Sequence, residues 1–192
     1  PNGIEIDKFN KNNRISTKRF TVGFVGRVAS TVDTEMLKIV ALSLPQDIQF
    51  KFVISGDVDQ VIGWGLPKNV IINIDIENNR MPEFYKEIDV LFNPILHNAI
   101  SRVTLESMSC GIPVIMYDAT SRSKYFSNDN IVEVPRDLEA IMNKIEFLRE
   151  QHQVRGIIGD SASDLIKKRF SSEITSKQVL RVYTKALIEF KV

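Results

Sequence analysis

The stretch SRVTLESMSCGIPVIMYD, residues 101–118, carries a single carboxylate, Glu106, among small and apolar residues. If a helix begins near Ser101, its first turn presents free backbone N–H groups from about Arg102 to Leu105 and the positive end of the helix dipole. Such a helix start binds anions and suits a phosphate group. A carboxylate one turn deeper can instead accept two hydrogen bonds from a vicinal diol such as a ribose. The spacing alone leaves open that Glu106 is a surface residue of an amphipathic helix.

A second candidate for anion binding is Arg27, which follows Gly26 at the end of the apolar run RFTVGFVGRV, residues 19–28. An arginine at a strand end can reach across the mouth of a sheet and donate two hydrogen bonds to a diphosphate. Gly26 would let a ligand approach the backbone closely, and Gly56 lies in a further turn after a strand. The alternative for Arg27 is an exposed arginine that binds nothing.

The composition is that of an ordinary soluble domain and argues against several functions. The chain has 192 residues, 43% of them hydrophobic, and its formal net charge of +1 argues against general nucleic-acid binding. The single cysteine, Cys110, excludes an internal disulfide and a cysteine-based zinc site, and we expect an inert buried thiol. The two histidines, His97 and His152, lack the spacing of metal ligands, so we expect no metal. Glycine-rich dinucleotide and P-loop fingerprints do not occur.

Strands and helices alternate along most of the chain, which predicts a parallel sheet covered on both faces. We therefore predict an α/β fold with a doubly wound, Rossmann-like parallel sheet, in which ligands bind at the carboxyl ends of the strands. The predicted strands are 19–28, 49–57, 69–74, 89–94, 113–118 and, more weakly, 130–134. The predicted helices are 33–44, 81–88, 101–110, 136–150, 153–169 and 172–190.

The domain organisation predicted from these elements is simple. Residues 1–18 are expected to be a linker or hinge, 19–170 the ligand-binding domain, and 171–192 the C-terminal helix of the same domain. The start Pro-Asn-Gly is a turn and lacks an initiator methionine, so we expect a fragment cut at a linker. The last helix has an apolar stripe, and packing on the sheet or a neighbouring helix is favoured over a partner; its residues are Val179, Val182, Tyr183, Ala186 and Phe190.

Five segments, PNGIEIDKF, FVGRV, FVISGD, MPEFYKEIDVLFNP and TLESMSCGIPVIMYD, together resemble the C-terminal domain of retaining GT-B glycosyltransferases of family 4, or group 1. The most specific piece is ESMSCGIPV, residues 106–114, which is similar to the family's Glu-Ala-Met-Ala-Cys-Gly-x-Pro-Val stretch. The resemblance covers nearly the whole chain. PNGIEIDKF resembles the hinge that follows the family's N-terminal acceptor-binding domain.

The resemblance implies a site for a UDP- or GDP-linked sugar, with no cofactor and no structural metal. It implies that the helix start cradles the diphosphate, that Glu106 binds the ribose, and that Arg27 is catalytic because it offsets charge on the leaving group. We expect Glu106 to face a solvent-filled cleft. The residues expected to bind the nucleotide sugar are Gly26, Arg27, Gly56, Asn98, Ser101, Arg102, Val103, Thr104 and Glu106.

Three positions depart from the family pattern. Asn98 stands where the family has the first glutamate of a pair, and it keeps hydrogen-bonding capacity without the charge. Val32 stands where the family has a lysine, and it cannot contact phosphate. Ser101 replaces the usual glycine before the helix, and Arg102 after it would restore a positive charge near the phosphates. These departures put catalytic competence, more than the fold, in question.

The function implied is transfer of a sugar to an acceptor hydroxyl with retention of configuration, in bacterial surface polysaccharide or lipopolysaccharide synthesis. The expected partners are the nucleotide sugar, the protein's own N-terminal domain and, through that domain, a membrane surface. The expected location is cytoplasmic, and the chain alone should lack turnover because the acceptor side of the cleft is missing. Two alternatives are a degenerate non-catalytic domain serving as partner or scaffold, and a sugar-nucleotide epimerase of the same architecture, which ESMSCGIPV fits less well.

Overall fold

The computed structural model describes residues 3–12, 19–56, 58–97, 99–118 and 125–189. Its strands are β1 (Thr21–Arg27), β2 (Gln49–Ser55), β3 (Val70–Ile74), β4 (Val90–Phe92), β5 (Val114–Tyr117) and β6 (Val132–Val134). Its helices are α1 (Thr34–Ser43), α2 (Val58–Ile62), α3 (Met81–Lys86), α4 (Arg102–Ser109), α5 (Leu138–Glu150), α6 (His152–Arg169) and α7 (Ser172–Glu189), and a 3₁₀ turn (Asn78–Arg80) precedes α3.

The six strands form one sheet in the order β3-β2-β1-β4-β5-β6, and every neighbouring pair is parallel. Strands β2 and β3 are added in turn on one side of β1, and the chain then crosses over so that β4 pairs with the other side of β1. The strand order therefore reverses between β1 and β4, and a crevice opens there at the carboxyl ends of the strands. The predicted fold class is confirmed.

Side chains of alternate strand residues enter two separate hydrophobic layers. Phe50 and Phe52 of β2 belong to the layer that helices α1 and α5 cover, whereas Val53 belongs to the layer under α3, α4 and α6. Phe50 and Phe52 are fully buried, and Val53 is 5% exposed. Both faces of the sheet are thus covered, which explains why the strands are nearly continuous apolar runs.

The structure adds one helix that the sequence analysis did not predict. Helix α2 has only five residues, and among them Val61 alone is buried. A single buried side chain gives no helical period to recognise, so this element is set by its position between β2 and β3. The N-cap of α1 is Asp33, whose carboxylate accepts a hydrogen bond from the Met36 amide at 3.3 Å.

The described part of the predicted linker, residues 3–12, is packed against the domain; we call it the N-terminal segment. Ile4 and Phe9 are 1% and 2% exposed. The Ile4 amide donates to the Phe170 carbonyl at 2.8 Å, and the Ser109 hydroxyl donates to the Phe9 carbonyl at 2.5 Å. Residues 1–2 and 13–18 lie outside the described part of the chain, and a hinge function stays a prediction.

The expectation that the apolar stripe of α7 packs against the domain is wrong. Val179, Val182 and Tyr183 are 48%, 69% and 67% exposed. Among the described side chains of the helix, Thr175 in the first turn is the only buried one. Phe190 lies outside the described residues. Among the helices that the structure describes, none is long and apolar enough to cross a membrane.

Candidate nucleotide-binding site

Helix α4 begins at the carboxyl edge of the sheet with Ser101 as its N-cap. The Ser101 hydroxyl accepts a hydrogen bond from the Thr104 amide at 3.1 Å, and the Ser101 carbonyl accepts one from the Leu105 amide at 3.3 Å. The expectation of free N–H groups as far as Leu105 is therefore wrong for Thr104 and Leu105. The amides of Arg102 and Val103, which precede these bonds, are the ones that the helix start offers to an anion.

A buried polar cluster fixes this helix start to strand β4. Asn93, directly after β4, donates to the Thr104 hydroxyl at 2.9 Å and to the Ser101 hydroxyl at 3.2 Å. The two hydroxyls are themselves 2.9 Å apart and hydrogen-bonded. Asn93 is 3% exposed and Thr104 is fully buried. Thr104 therefore shapes the helix start from inside, a role that the sequence analysis did not foresee for it or for Asn93.

Glu106, one turn further along α4, is only 4% exposed. Its Oε2 accepts a hydrogen bond from the Tyr85 hydroxyl at 3.1 Å, and its Oε1 accepts one from the Arg102 guanidinium at 3.3 Å. Burial raises the pKa of Glu106, and the hydrogen bonds from Tyr85 and Arg102 offset that rise only in part. The surface alternative and the expected solvent-filled cleft are both wrong, because the carboxylate is enclosed.

Arg102 was expected to restore a positive charge near the phosphates. In the structure its side chain is 55% exposed and its guanidinium pairs with Glu106, four residues along the same helix. The charge of Arg102 is thus partly neutralised by the Glu106 carboxylate. It becomes available to another anion only if that pair opens.

The other predicted contacts lie at the carboxyl ends of β1 and β2. Arg27 is the exposed last residue of β1, and its register partner is Ser55, the last residue of β2. Gly56 follows with φ +92°, a left-handed conformation, and a Cβ there would meet nothing within 4 Å. At Gly26 a Cβ would lie 3.0 Å from the Phe24 ring. Packing against Phe24 is therefore enough to explain why residue 26 is a glycine. A close contact between the Gly26 backbone and a ligand stays a prediction.

Val32, at the position of the family lysine, joins two loops of the crevice. It forms an antiparallel bridge with Ile95, and the Asp33 amide beside it donates to the Pro94 carbonyl at 2.8 Å. The loop after β1 is thereby held against the loop after β4, where the order of the strands reverses. Asn98, another departure from the family pattern, lies outside the described residues.

The family described as glycosyl transferases group 1 matches residues 5–165, most of the chain. This chain belongs to the group 1 glycosyltransferase family. The predicted resemblance is therefore confirmed, and the match includes both Arg27 and the ESMSCGIPV stretch.

One curated relative and two solved structures illustrate the likeness to known glycosyltransferases. The chain is 24% identical over 206 residues to CapM, a capsular polysaccharide biosynthesis glycosyltransferase of Staphylococcus aureus, covering 98% of this chain and 54% of CapM. Sucrose-phosphate synthase of Thermosynechococcus elongatus superposes with a TM-score of 0.87 at 19% identity, covering 98% of this chain and 52% of that one. HepE of Anabaena, solved in complex with UDP-glucose, gives 0.79 at 18% identity, covering 95% and 56%. The chain spans about half the length of these proteins.

Next to the family's lysine position, this glycosyltransferase chain has a charged network that the sequence analysis missed. Asp33, 4% exposed, accepts hydrogen bonds from the Tyr117 hydroxyl at 2.9 Å and from Nε of Arg136 at 2.5 Å. Burial alone would raise the pKa of Asp33, but the hydrogen bonds from Arg136, Tyr117 and the Met36 amide outweigh it and hold the pKa below its usual range. The network ties the end of β5 and the loop after β6 to the crevice.

Cys110, in the family's Cys-Gly-x-Pro stretch, is 3% exposed. Burial raises the pKa of its thiol to about 12, so the nucleophilic thiolate is not formed near neutral pH. The expectation that this cysteine is buried is confirmed, and its lack of reactivity stays a prediction. Over the described ranges, no group of three or more His, Cys, Asp or Glu side chains is arranged to hold a metal ion.

Proposed function

We propose that this chain is the donor-binding domain of a retaining glycosyltransferase that moves a sugar from a UDP- or GDP-sugar to an acceptor hydroxyl. The observation that carries the proposal is the pairing of an anion site and a diol acceptor on one helix. At the start of α4, the amides of Arg102 and Val103 precede the first hydrogen bonds of the helix, and the Glu106 carboxylate lies one turn behind them. The carboxyl edge of the sheet is where nucleotides bind in this class of fold.

The residues divide the work of binding and catalysis. The helix start and Arg27 bind the diphosphate, and Glu106 accepts hydrogen bonds from the ribose hydroxyls. As the sugar leaves, negative charge develops on the departing nucleotide diphosphate. Arg27 and the helix dipole stabilise that charge. Stabilisation of charge that develops in the transition state is generally the largest single contribution to catalysis.

The process and partners proposed here depend on the relatives and on the family resemblance. The capsular polysaccharide role of CapM supports a function in bacterial surface polysaccharide or lipopolysaccharide synthesis. The complex of HepE with UDP-glucose supports a UDP-linked donor, with GDP as the alternative. The acceptor would bind to an N-terminal domain of the same protein, which would also provide any contact with a membrane surface, and the location would be cytoplasmic.

A thermal-shift experiment with a panel of nucleotides tests the proposal on the 192-residue chain. We expect UDP, GDP or one of their sugars to raise the unfolding temperature, because a ligand that binds only the folded state stabilises it. Inorganic diphosphate and the matching nucleoside serve as controls that separate the two halves of the site. If no nucleoside diphosphate or nucleotide sugar stabilises the chain, the donor-binding proposal is wrong.

A non-catalytic domain that serves as partner or scaffold is the second candidate, and the observation that favours it is Val32. This residue stands at the lysine position and is bridged to Ile95, so it offers no cation to the diphosphate. In the full-length protein, Val32→Lys should raise turnover if the site is active, since one lost charge-stabilising donor typically costs about 2.7–4 kcal/mol. If the full-length wild type neither transfers nor hydrolyses any nucleotide sugar that it binds, the non-catalytic function is correct.

A further inference from the structure

The two oxygens of the Glu106 carboxylate have different partners. Oε2 accepts from the hydroxyl of Tyr85 on helix α3, whose side chain is fully buried. Oε1 accepts from Arg102, whose side chain is 55% exposed. One partner therefore belongs to the core of the domain, and the other lies at its surface.

The two partners also differ in how easily they can move. The Tyr85 ring packs edge-on against Phe84 at 5.7 Å and Phe9 at 6.1 Å between centroids, and turning it would disturb a close-packed core. The Arg102 side chain is 55% exposed, so water can solvate its guanidinium when it leaves, and the ribose hydroxyls that take its place give the buried carboxylate new donors. A ligand can therefore replace Arg102 on Glu106 but cannot replace Tyr85.

We propose that Tyr85 is a positioning residue for ribose recognition: its hydroxyl fixes Oε2 of Glu106 and so presents Oε1, once Arg102 yields it, to the hydroxyls of the nucleotide. The proposal rests on the proposed function, because it assumes that Glu106 binds a ribose. It adds to that function the acceptor atom of the ribose hydroxyls, Oε1 of Glu106, and the residue that orients it, Tyr85. It also gives Arg102 a role as the group that covers the carboxylate in the empty site.

The surroundings of Glu106 give Tyr85 a second effect, on charge. The titratable groups that face this carboxylate are Tyr85, Arg102, the Cys110 thiol and the more distant Lys8. The hydrogen bond from Tyr85 stabilises the ionised carboxylate, which is the stronger acceptor for hydroxyl donors. Without that bond, the pKa of Glu106 rises further, and more of the site is protonated at a given pH.

The variant that tests the proposal is Tyr85→Phe, with Tyr117→Phe as its matched control. Each removes a tyrosine hydroxyl that donates to a buried carboxylate, Glu106 in one case and Asp33 in the other. Calorimetry on the whole chain compares UDP and GDP with their 2′,3′-dideoxy analogues. The quantity measured is the ratio of the two affinities, which reports ribose recognition separately from general stability.

We expect the wild type and Tyr117→Phe to prefer the ribose form of whichever diphosphate binds. Tyr85→Phe should reduce this preference roughly five- to tenfold, as for loss of a typical hydrogen bond, and leave the dideoxy affinity unchanged. The loss of ribose preference on acidification should also begin at a higher pH in Tyr85→Phe than in the wild type. A purely structural role would weaken both nucleotides equally and would not move the pH profile.

Arg102→Ala provides a second measurement that does not depend on how well Tyr85→Phe folds. Arg102→Ala also raises the pKa of Glu106, so the comparison is made at a pH where the carboxylate is ionised. There Tyr85 still positions the carboxylate and the covering group is gone, so the ribose preference should be kept or increased. If Arg102→Ala abolishes the preference, or Tyr85→Phe retains it in full, Tyr85 does not position Glu106, although the donor-binding function would stand. If the wild type binds neither diphosphate, the proposed function fails and this inference fails with it.

Discussion

The side-chain amide of Asn93 donates a buried hydrogen bond of 2.9 Å to the hydroxyl of Thr104. Asn93 follows β4 directly, and Thr104 lies in the first turn of α4, so the bond fixes the helix start relative to the sheet. The Ser101 hydroxyl, which caps the helix, belongs to the same cluster. The Arg102 and Val103 amides, which we propose bind a diphosphate, are therefore held in place from within the domain.

We predict that Asn93→Ala lowers the free energy of unfolding by about 1–3 kcal/mol, because it leaves buried hydroxyl groups without their donor. Urea unfolding followed by circular dichroism measures the change. Asn10→Ala is the control, since its amide donates to the Asp7 carbonyl at an exposed position. Equal losses of unfolding free energy in the two variants would show that the Asn93 hydrogen bonds stabilise the chain no more than the exposed bond of Asn10.

Glu106→Gln is expected to weaken binding of the nucleoside diphosphate by about 1–3 kcal/mol, because charge-assisted hydrogen bonds to the ribose are lost. The glutamine keeps the shape of the side chain, and its carbonyl still accepts from Tyr85. Calorimetry with the diphosphate that stabilises the wild type measures the loss. Unchanged affinity for every nucleotide that the wild type binds would exclude Glu106 from the ribose site.

The same variant should be at least as stable as the wild type at neutral pH. The pKa of Glu106 is raised by burial, so the stabilisation linked to its protonation is present below the ordinary glutamate pKa and is lost as the pH rises through the raised pKa. Glutamine does not titrate, so the variant does not lose this stabilisation. The free energy of unfolding of Glu106→Gln relative to the wild type should therefore increase as the pH rises between the ordinary and the raised pKa. Thermal unfolding at a series of pH values measures it, and a difference that shrinks with rising pH would contradict the assigned direction.

Arg27→Ala should abolish measurable binding of the diphosphate while sparing the bare nucleoside. Because Val32 at the lysine position supplies no cation, we expect Arg27 to carry more of the phosphate interaction than it would in an arginine–lysine pair. The control is Arg149→Ala, since Arg149 pairs with Glu146 and Asp47 near the start of β2, at the opposite edge of the sheet. A diphosphate that binds equally well without Arg27 would place the phosphate site elsewhere.

Asp33→Asn should destabilise the chain at neutral pH by about 1.5–3 kcal/mol, since Asp33 accepts hydrogen bonds from Tyr117 and Arg136 in its charged form. Because its pKa is lowered, this stabilisation is present above the ordinary aspartate pKa and is lost as the pH falls through the lowered value. The deficit of the variant should therefore shrink in acid. Asp137→Asn, an exposed N-cap of α5, is the control, and chemical unfolding between neutral and acidic pH compares them. A deficit that persists undiminished in acid would mean that the charge of Asp33 is not the cause.

The sheet and the start of α4 could be predicted because their signals are local. Apolar runs mark the strands, and the small residues around Glu106 mark one helix. The contacts that decide how the site works are not local. Tyr85 precedes Glu106 by 21 residues, and Arg136 follows Asp33 by 103, so neither pairing has a spacing that a pattern can indicate. The burial of Glu106 was missed for the same reason, since it depends on what α3 places beside it.

Phe9, in the N-terminal segment, packs against the Tyr85 ring with 6.1 Å between the ring centroids. Any rearrangement that withdraws Phe9 also loosens the ring whose hydroxyl holds Glu106. If Glu106 binds the nucleotide as proposed, docking of this segment and binding of the nucleotide are energetically coupled, and such coupling is reciprocal. A bound nucleotide should slow amide hydrogen exchange in residues 3–12 by the same free energy with which the docked segment tightens nucleotide binding.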